Sequence, residues 1–136
     1  MTFEIINPES LGAPKGWNNG LLAPKDGRLL FIAGQAGWET DSTGEPPGFV
    51  DQFARALDKM LAVVSQAGGR PADVARVTIY VTDLAAYRAS TKQLGEAWRA
   101  RMGTHYPAVA MLEVKGLVDR GAVVEIEATA VLSGRP

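Results

Sequence analysis

Three carboxylates in the last quarter of the chain are the side chains best suited to acid–base chemistry. Glu113, Glu125 and Glu127 fall within segments that read as β-strands, where charged residues are uncommon. Glu125 and Glu127 are two residues apart, so both point to the same side of their strand. Such carboxylates either meet solvent at an edge, pair with a cation such as Lys115, Arg76 or Arg120, or line a pocket. Solvent or ion pairing is the expected role of Glu127, whereas a carboxylate in a partly apolar cleft can exchange protons with water.

Other catalytic groups are scarce. The chain has no cysteine, which excludes thiol nucleophiles, disulfides and cysteine-ligated zinc, and a single histidine, His105, which excludes a histidine metal cluster. No serine-hydrolase, phosphate-loop or dinucleotide motif is present, since the glycine pattern at 34–37 is too short to cradle a pyrophosphate. No metal site is therefore predicted, and His105 is expected to be a partly exposed surface residue.

The elements that must position these groups alternate between strands and helices along one predicted domain, residues 1–136. The expected order is β-β-α-β-α-β-β, an α+β arrangement with both helices on one face of the sheet. Hydrophobic periodicity and turn residues set the expected limits. Strands are predicted at 28–34, 75–82, 107–115 and 122–132, and helices at 51–67, capped by Asp51, and from Asp83 to Gly103.

One strand is apolar on both of its sides. Leu29, Leu30, Phe31 and Ile32 follow one another without a polar residue, although a sheet face turned away from the helices normally alternates with polar positions. Either a long loop covers that face or it packs against other copies of the chain. The second interpretation is favoured.

Composition narrows the range of partners. The net charge is −1, from 14 basic and 15 acidic residues. Nucleic-acid binders usually carry a basic excess, because phosphate neutralisation supplies much of their affinity. Neither a secretory leader nor an apolar run of membrane-spanning length is apparent. A cytoplasmic protein without nucleic-acid or membrane partners is predicted.

The last third of the chain resembles the signature of the RidA/YjgF family, the reactive-imine deaminases also called L-PSP proteins. The residues that carry the resemblance run from Tyr106-Pro-Ala-Val-Ala-Met-Leu-Glu to the strand Val124-Glu-Ile-Glu-Ala. In element order the resemblance extends over nearly the whole chain. It implies a chorismate-mutase-like α+β fold and a homotrimer with ligand clefts between subunits.

The resemblance also implies a mechanism. Water attacks the carbon of an imine or enamine, ammonia is released, and no metal or organic cofactor is needed. The family's glutamate, which holds the water, corresponds to Glu125. The family's arginine, which clamps the substrate carboxylate as a bidentate pair, corresponds to Val109.

Other positions also depart from the family pattern. A serine is replaced by Ala33, before Gly34, and an N-terminal tyrosine by Trp17. A polar residue of the second helix corresponds to Ser90 or Thr91. The loop after Leu117 is about one residue longer than in typical members, so Arg120 or Lys115 could reach the cleft instead of the missing arginine.

Three functions follow as hypotheses. The first is imine or enamine hydrolysis retuned to another substrate, because a valine supplies none of the about 1.5–3 kcal/mol of a charge-assisted hydrogen bond. Trp17, Val109 and Met111 favour a ligand that is less anionic or more apolar than an amino-acid-derived imine. The second is a trimer that binds a small molecule without catalysis, Val109 being ordinary strand packing. The third, ribonuclease activity, is disfavoured by the charge balance and the single histidine.

Overall fold

A four-stranded mixed sheet carries three helices on one of its faces in the computed structural model, which describes residues 3–134. The strand order is β3-β6-β4-β5, in which β4 and β5 run parallel and the other neighbours are antiparallel. A separate two-stranded sheet is formed by β1 and β2. The strands are β1 (Glu4–Ile6), β2 (Gly20–Leu22), β3 (Arg28–Ala36), β4 (Val74–Val81), β5 (Ala108–Glu113) and β6 (Val124–Leu132), and the helices are α1 (Phe49–Gln66), α2 (Leu84–Arg88) and α3 (Thr91–Met102).

The core lies between the helices and one face of the sheet. Alternation within the strands creates this face, since every second residue of β4 and β6 points to the same side. Val77, Ile79 and Val81 of β4 are buried there together with Val124 and Ile126 of β6. Leu57 and Met60 of α1, and Leu94, Trp98 and Met102 of α3, fill the space opposite them.

The expected α+β arrangement is confirmed, with two differences in the helices and one in the strands. Helix α1 begins at Phe49 with Gly48 as its N-cap, so the prediction that Asp51 caps it is wrong. Asp51 instead lies in the first turn, where a negative charge interacts favourably with the helix dipole. The predicted second helix is divided at Ala89 and Ser90 into α2 and α3. Asp83 caps α2 as predicted, accepting a hydrogen bond from the backbone N–H of Ala85 at 2.9 Å.

Three strands, rather than two, precede the first helix. Two of the three, β1 and β2, form a small antiparallel sheet in which Ile5 pairs with Leu21. Its three-residue strands are mostly exposed and too short to produce a recognisable alternation.

The second face of the sheet is open. Leu29 and Phe31 of β3 are 62% and 76% exposed on it, so no loop among the described residues covers them. The alternative in which a loop buries this face is therefore wrong for residues 3–134. Within the same range, no helix is long and apolar enough to cross a membrane.

Candidate functional site

A cavity of about 480 Å³ opens beside the edge strand β5, on the helix side of the sheet. Its floor is formed by β4 and β5, one wall by α2 and α3, and the other by the segment that precedes β2. Of the residues predicted to bind substrate, four line it: Trp17, Thr91, Val109 and Met111.

Aromatic side chains form much of the wall. Trp98 of α3 is buried and stacks on Tyr106, with ring centroids 6.4 Å apart and planes 7° apart. The indole N–H of Trp98 donates to the backbone carbonyl of His105 at 3.2 Å, which fixes the ring. Trp17, 43% exposed, faces the same cavity from the N-terminal segment. The cavity therefore offers flat apolar surfaces to a ligand.

Asparagines hold the N-terminal wall in place, and sequence reasoning missed them. The Asn18 side-chain amide donates to the carbonyl of Tyr106 at 2.6 Å, and its backbone N–H donates to the carbonyl of Pro107 at 3.0 Å. Asn7 in turn donates to the Asn18 side chain at 2.8 Å and accepts from the backbone N–H of Asn19 at 2.7 Å. These bonds tie the residue after Trp17 to the start of β5. The Gly16-Trp17-Asn18-Asn19 sequence is the only signal that could have drawn attention to them.

Two cations line the cavity. Lys15 precedes Trp17, and Arg99 lies on α3 one turn after Gly95. A methyl group at Gly95 would lie only 3.2 Å from Nη1 of Arg99, which shows that the guanidinium lies along the helix over this glycine. Among the described residues that line the cavity, none is an aspartate or glutamate.

The cavity floor is apolar at Val109, the position that the resemblance aligns with an arginine. Val109 pairs with Val77, and Met111 pairs with Ile79, so both side chains point to the helix side of the sheet. Both are half-buried. A carboxylate placed against this floor would lose hydration without gaining a donor from residue 109.

Glu125 lies on the opposite, open face. Its carboxylate rests over Gly34, because a Cβ at that glycine would lie 2.5 Å from Oε2 of Glu125. Ala33 lies immediately before Gly34 on β3. Within residues 3–134 the Glu125 carboxylate has no hydrogen-bond or ion-pair partner, so its oxygens are available to water. It is half-buried.

Glu127, the second carboxylate of this strand, is already engaged. The Tyr80 hydroxyl donates to Glu127 Oε1 at 2.5 Å. This bond, followed by desolvation and by the charges of Glu127 and Glu125, raises the pKa of Tyr80 above its ordinary value of 10.0. Tyr80 is thus the partner of Glu127, for which solvent or a cation was expected. Glu127 differs from Glu125 in having this hydrogen bond.

One chain therefore does not bring all the predicted residues together. Trp17, Thr91, Val109 and Met111 line the cavity on the helix side, whereas Glu125 lies with Ala33 and Gly34 on the open side. The two groups can meet only if a second copy presents its open face to the cavity of the first.

The two cations considered as replacements for the missing arginine do not reach the cavity of their own chain. Arg120 lies in the loop before β6, where its backbone N–H donates to the Thr40 hydroxyl at 3.0 Å, and Lys115 is exposed in the loop after β5. Neither lines the cavity. His105 is half-buried, and its Nε2 lies 2.6 Å from the carbonyl of Val74, so its ring has a structural hydrogen bond.

Comparison with known proteins decides the family. The family profile described as Endoribonuclease L-PSP matches residues 10–132. The 2-iminobutanoate/2-iminopropanoate deaminase of Escherichia coli is 33% identical over 106 residues, which cover 77% of this chain and 80% of that protein. The chain belongs to the RidA/YjgF family.

Other family members match over almost their full length. A RutC family protein of Pyrococcus abyssi is 29% identical over 131 residues, covering 96% of this chain and 98% of that protein. The crystal structure of the Rid family protein YyfB from Yersinia pestis superposes with a TM-score of 0.81 at 29% identity, covering 97% of this chain and all of that one. TdcF of E. coli, solved with bound serine, gives a TM-score of 0.66 at 25% identity over 90% of this chain and 92% of its own. The RidA/YjgF fold is thus established for this chain.

Proposed function

We propose that the protein hydrolyses reactive imines or enamines to carbonyl compounds and ammonia, and that it does so as a homotrimer with sites between subunits. The observation that carries the proposal is the free, half-buried carboxylate of Glu125 over Gly34. At family level it is supported by the E. coli relative named for deamination of 2-iminobutanoate and 2-iminopropanoate.

The division of the site between two faces supports assembly. In the proposed trimer, one copy supplies the cavity with Trp17 and Val109, and its neighbour supplies Glu125. Leu29 and Phe31, which pair with Val131 and Thr129 further along β6 than Glu125, are exposed and give the open face an apolar surface that association would bury. A cyclic trimer repeats this heterologous contact three times and closes.

The chemistry proceeds in two steps. The water oxygen adds to the imine carbon as Glu125 accepts a proton from the water, and the C=N electron pair moves to nitrogen, which takes up a proton from solvent. The resulting carbinolamine then collapses: its hydroxyl proton is lost to solvent as the C=O bond forms, and the C–N bond breaks as nitrogen, protonated by Glu125, leaves as ammonia. The sum is imine plus water giving ketone plus ammonia, and Glu125 ends in its starting state.

The neighbouring carboxylate is unsuited to the same role. Glu127 already accepts a short hydrogen bond from Tyr80, which competes with a water for its lone pairs. Only Glu125 combines partial burial with free oxygens on this part of the strand.

A second candidate, ligand binding without turnover, is favoured by the valine at position 109. A binding trimer would be stabilised by a metabolite in a saturable way, because a ligand that binds the folded state raises its apparent stability. It would release no ammonia.

The two candidates are separated by an imine-trapping assay. An amino-acid oxidase generates short-lived imines from small, aliphatic and aromatic amino acids while semicarbazide captures them, and the protein is added in catalytic amounts. Imine hydrolysis predicts slower semicarbazone formation and faster ammonia release for at least one of these substrates. Semicarbazone formation at the rate of the protein-free reaction for every amino acid would overturn the enzymatic proposal and leave ligand binding.

A further inference from the structure

We infer that the substrate of this cavity is an anion with a large apolar side chain, and that Arg99, on a different element from residue 109, binds its carboxylate. The inference rests on the proposed function, because it names the substrate class of the same site. The cation that determines specificity is then on helix α3, because residue 109 of strand β5 is a valine.

The position of Arg99 makes it available to a ligand. Its guanidinium lies along α3 over Gly95, the residue one turn earlier, where any side chain would crowd it at 3.2 Å. Arg101, the other arginine near this end of α3, is paired with Asp58: its Nε lies 2.6 Å from Oδ1 of the aspartate. By contrast, Arg99 has no ion-pair partner among residues 3–134. A free guanidinium at a cavity rim is well suited to bidentate binding of a carboxylate.

The charge of the lining favours an anion. Lys15 on the N-terminal wall adds a second positive charge, and no described lining residue is acidic. Clefts lined by charges of one sign focus their field and raise the local concentration of counter-ions. The loss of the arginine at position 109 has therefore not left the cavity without cations.

The size and surface of the cavity favour a ligand with a large side chain. Its volume of about 480 Å³ lies within the range of about 300–1,000 Å³ typical of sites for small organic ligands, well above the needs of a three-carbon imine. Leu94, Trp98, Val109 and Met111 present apolar or aromatic surface to its interior. A phenyl or long aliphatic group would be removed from water there.

The apolar floor and the cation at the rim together define the orientation of the bound ligand. The apolar floor at Val109 and Met111 receives the side chain, whereas Arg99, which is exposed, receives the carboxylate at the rim. The imine carbon is bonded to the carboxylate carbon and therefore also lies near the rim. A second copy that covers the rim would bring its Glu125 to this carbon. An arginine at position 109 would place a charge where the apolar side chain is to be accommodated.

Calorimetric titration tests the inference with three probes. Phenylpyruvate carries both ring and carboxylate, phenylacetone carries the ring alone, and pyruvate carries the carboxylate alone. Each is titrated into the native protein, Arg99→Gln, Arg99→Lys and the control Arg88→Gln. Arg88 is an exposed arginine of α2 that lies outside the cavity lining.

We expect phenylpyruvate to bind the native protein about tenfold or more tightly than pyruvate, because its ring is buried. Arg99→Gln should weaken phenylpyruvate binding about tenfold and leave phenylacetone unchanged, since only the former carries the charge that Arg99 meets. Arg99→Lys should recover part of the loss, and Arg88→Gln should bind as the native protein does. Equal binding of pyruvate and phenylpyruvate, equal losses for phenylpyruvate and phenylacetone, or no loss in Arg99→Gln would each overturn the inference.

The titration does not depend on turnover, so the two proposals fail separately. Imine hydrolysis combined with Arg99-independent binding would remove the inference and leave the proposed function. Arg99-dependent binding without any ammonia release would remove the hydrolysis and leave the ligand class assigned to the cavity.

Discussion

The carboxylate of Glu125 lies over the backbone of Gly34, in a space that no other residue type could leave free. A Cβ at position 34 would approach Oε2 to 2.5 Å and the carboxyl carbon to 2.9 Å. The two residues come from adjacent antiparallel strands, β6 and β3, next to an irregularity in their register between Ile32 and Gln35. The glycine therefore determines where the proposed water-holding group can lie.

Gly34→Ala should displace the Glu125 carboxylate without unfolding the protein, because the position is exposed and does not require a left-handed backbone. Misplacement of a reacting group by about 1 Å can lower a rate about 100-fold. We expect kcat for imine hydrolysis to fall about 10- to 100-fold while the melting temperature changes little. Gly116→Ala is the control, since a Cβ there meets nothing within 4 Å. Equal kcat values in the two variants would contradict the role assigned to Gly34.

A site shared between copies predicts complementation. Glu125→Gln removes the proposed base, and Thr91→Trp obstructs the cavity from an exposed position on α3. Each variant alone should be inactive. After mixing in equal amounts, denaturation and refolding, about three quarters of trimers contain both variants, and each of these has one intact site of three. The mixture should recover about one quarter of the native activity.

Complementation would be absent if each chain formed its own complete site. Refolding each variant alone supplies the control for recovery of folded protein. A mixture no more active than its components would contradict the intersubunit arrangement.

The hydrogen bonds of Gln52 predict that its substitution lowers the free energy of unfolding substantially, at a position away from the candidate site. The side chain is 1% exposed, accepts a hydrogen bond from the Val123 backbone N–H at 2.8 Å and donates to the carbonyls of Gly121 at 2.8 Å and Pro47 at 3.1 Å. Gln52→Leu would leave these groups without their partner. Each unsatisfied buried group costs about 1–3 kcal/mol, so we expect the free energy of unfolding to fall by about 3 kcal/mol in urea titrations.

Gln66→Leu is the matched control, because Gln66 lies on the same helix but is exposed. It should change the free energy of unfolding by no more than about 0.5 kcal/mol at the same protein concentration. A similar effect of the two substitutions would show that the Gln52 bonds do not hold the loops before α1 and β6.

The interaction of Glu39 with Lys59 predicts that the stability of the protein depends on pH. Its hydrogen bond to Lys59 Nζ, 2.5 Å from Oε1, lowers the pKa of the carboxyl below its ordinary value of 4.5. Because the pKa is lowered in the folded state, the stabilisation is fully present above about pH 4.5 and is lost as the pH falls through the folded-state value. Native and Glu39→Gln proteins, melted between pH 7 and pH 3, should therefore converge in melting temperature at the acid end. A constant difference over this range would contradict the assigned pair.

The sequence predicted the long elements well, because periodicity reports burial. Strand β4, whose alternating valine and isoleucine side chains are buried, differs from its prediction by one residue at each end. The division between α2 and α3 was not predictable, since neither Ala89 nor Ser90 is a strong helix breaker. The start of α1 was misassigned because Asp51 resembles a cap, whereas the chain enters the helix through Pro46, Pro47 and Gly48.

The sequence predicted which residues belong to the candidate site better than it predicted how they are arranged. Glu125 and Val109 were identified from the resemblance, but no pattern in one sequence shows that they lie on opposite faces of the sheet. Arg99 was not identified as a site residue, since its place at the cavity depends on Gly95 and on the position of β5. The two bonds from Asn18 that place Trp17 reach Tyr106 and Pro107, almost 90 positions away, and such pairing is set by the tertiary fold.

The central claim is that Glu125, and not its neighbour two residues away, activates water. The imine-trapping assay should be run with Glu125→Gln and Glu127→Gln in parallel, since both change one carboxylate to an amide on the same face of β6. General acid–base catalysis contributes about 10²–10⁴-fold, so kcat should fall by at least about 100-fold in Glu125→Gln. Glu127→Gln should remain within a few-fold of the native enzyme, because its amide oxygen can still accept from Tyr80. Native activity in Glu125→Gln, or an equal loss in both variants, would contradict the account.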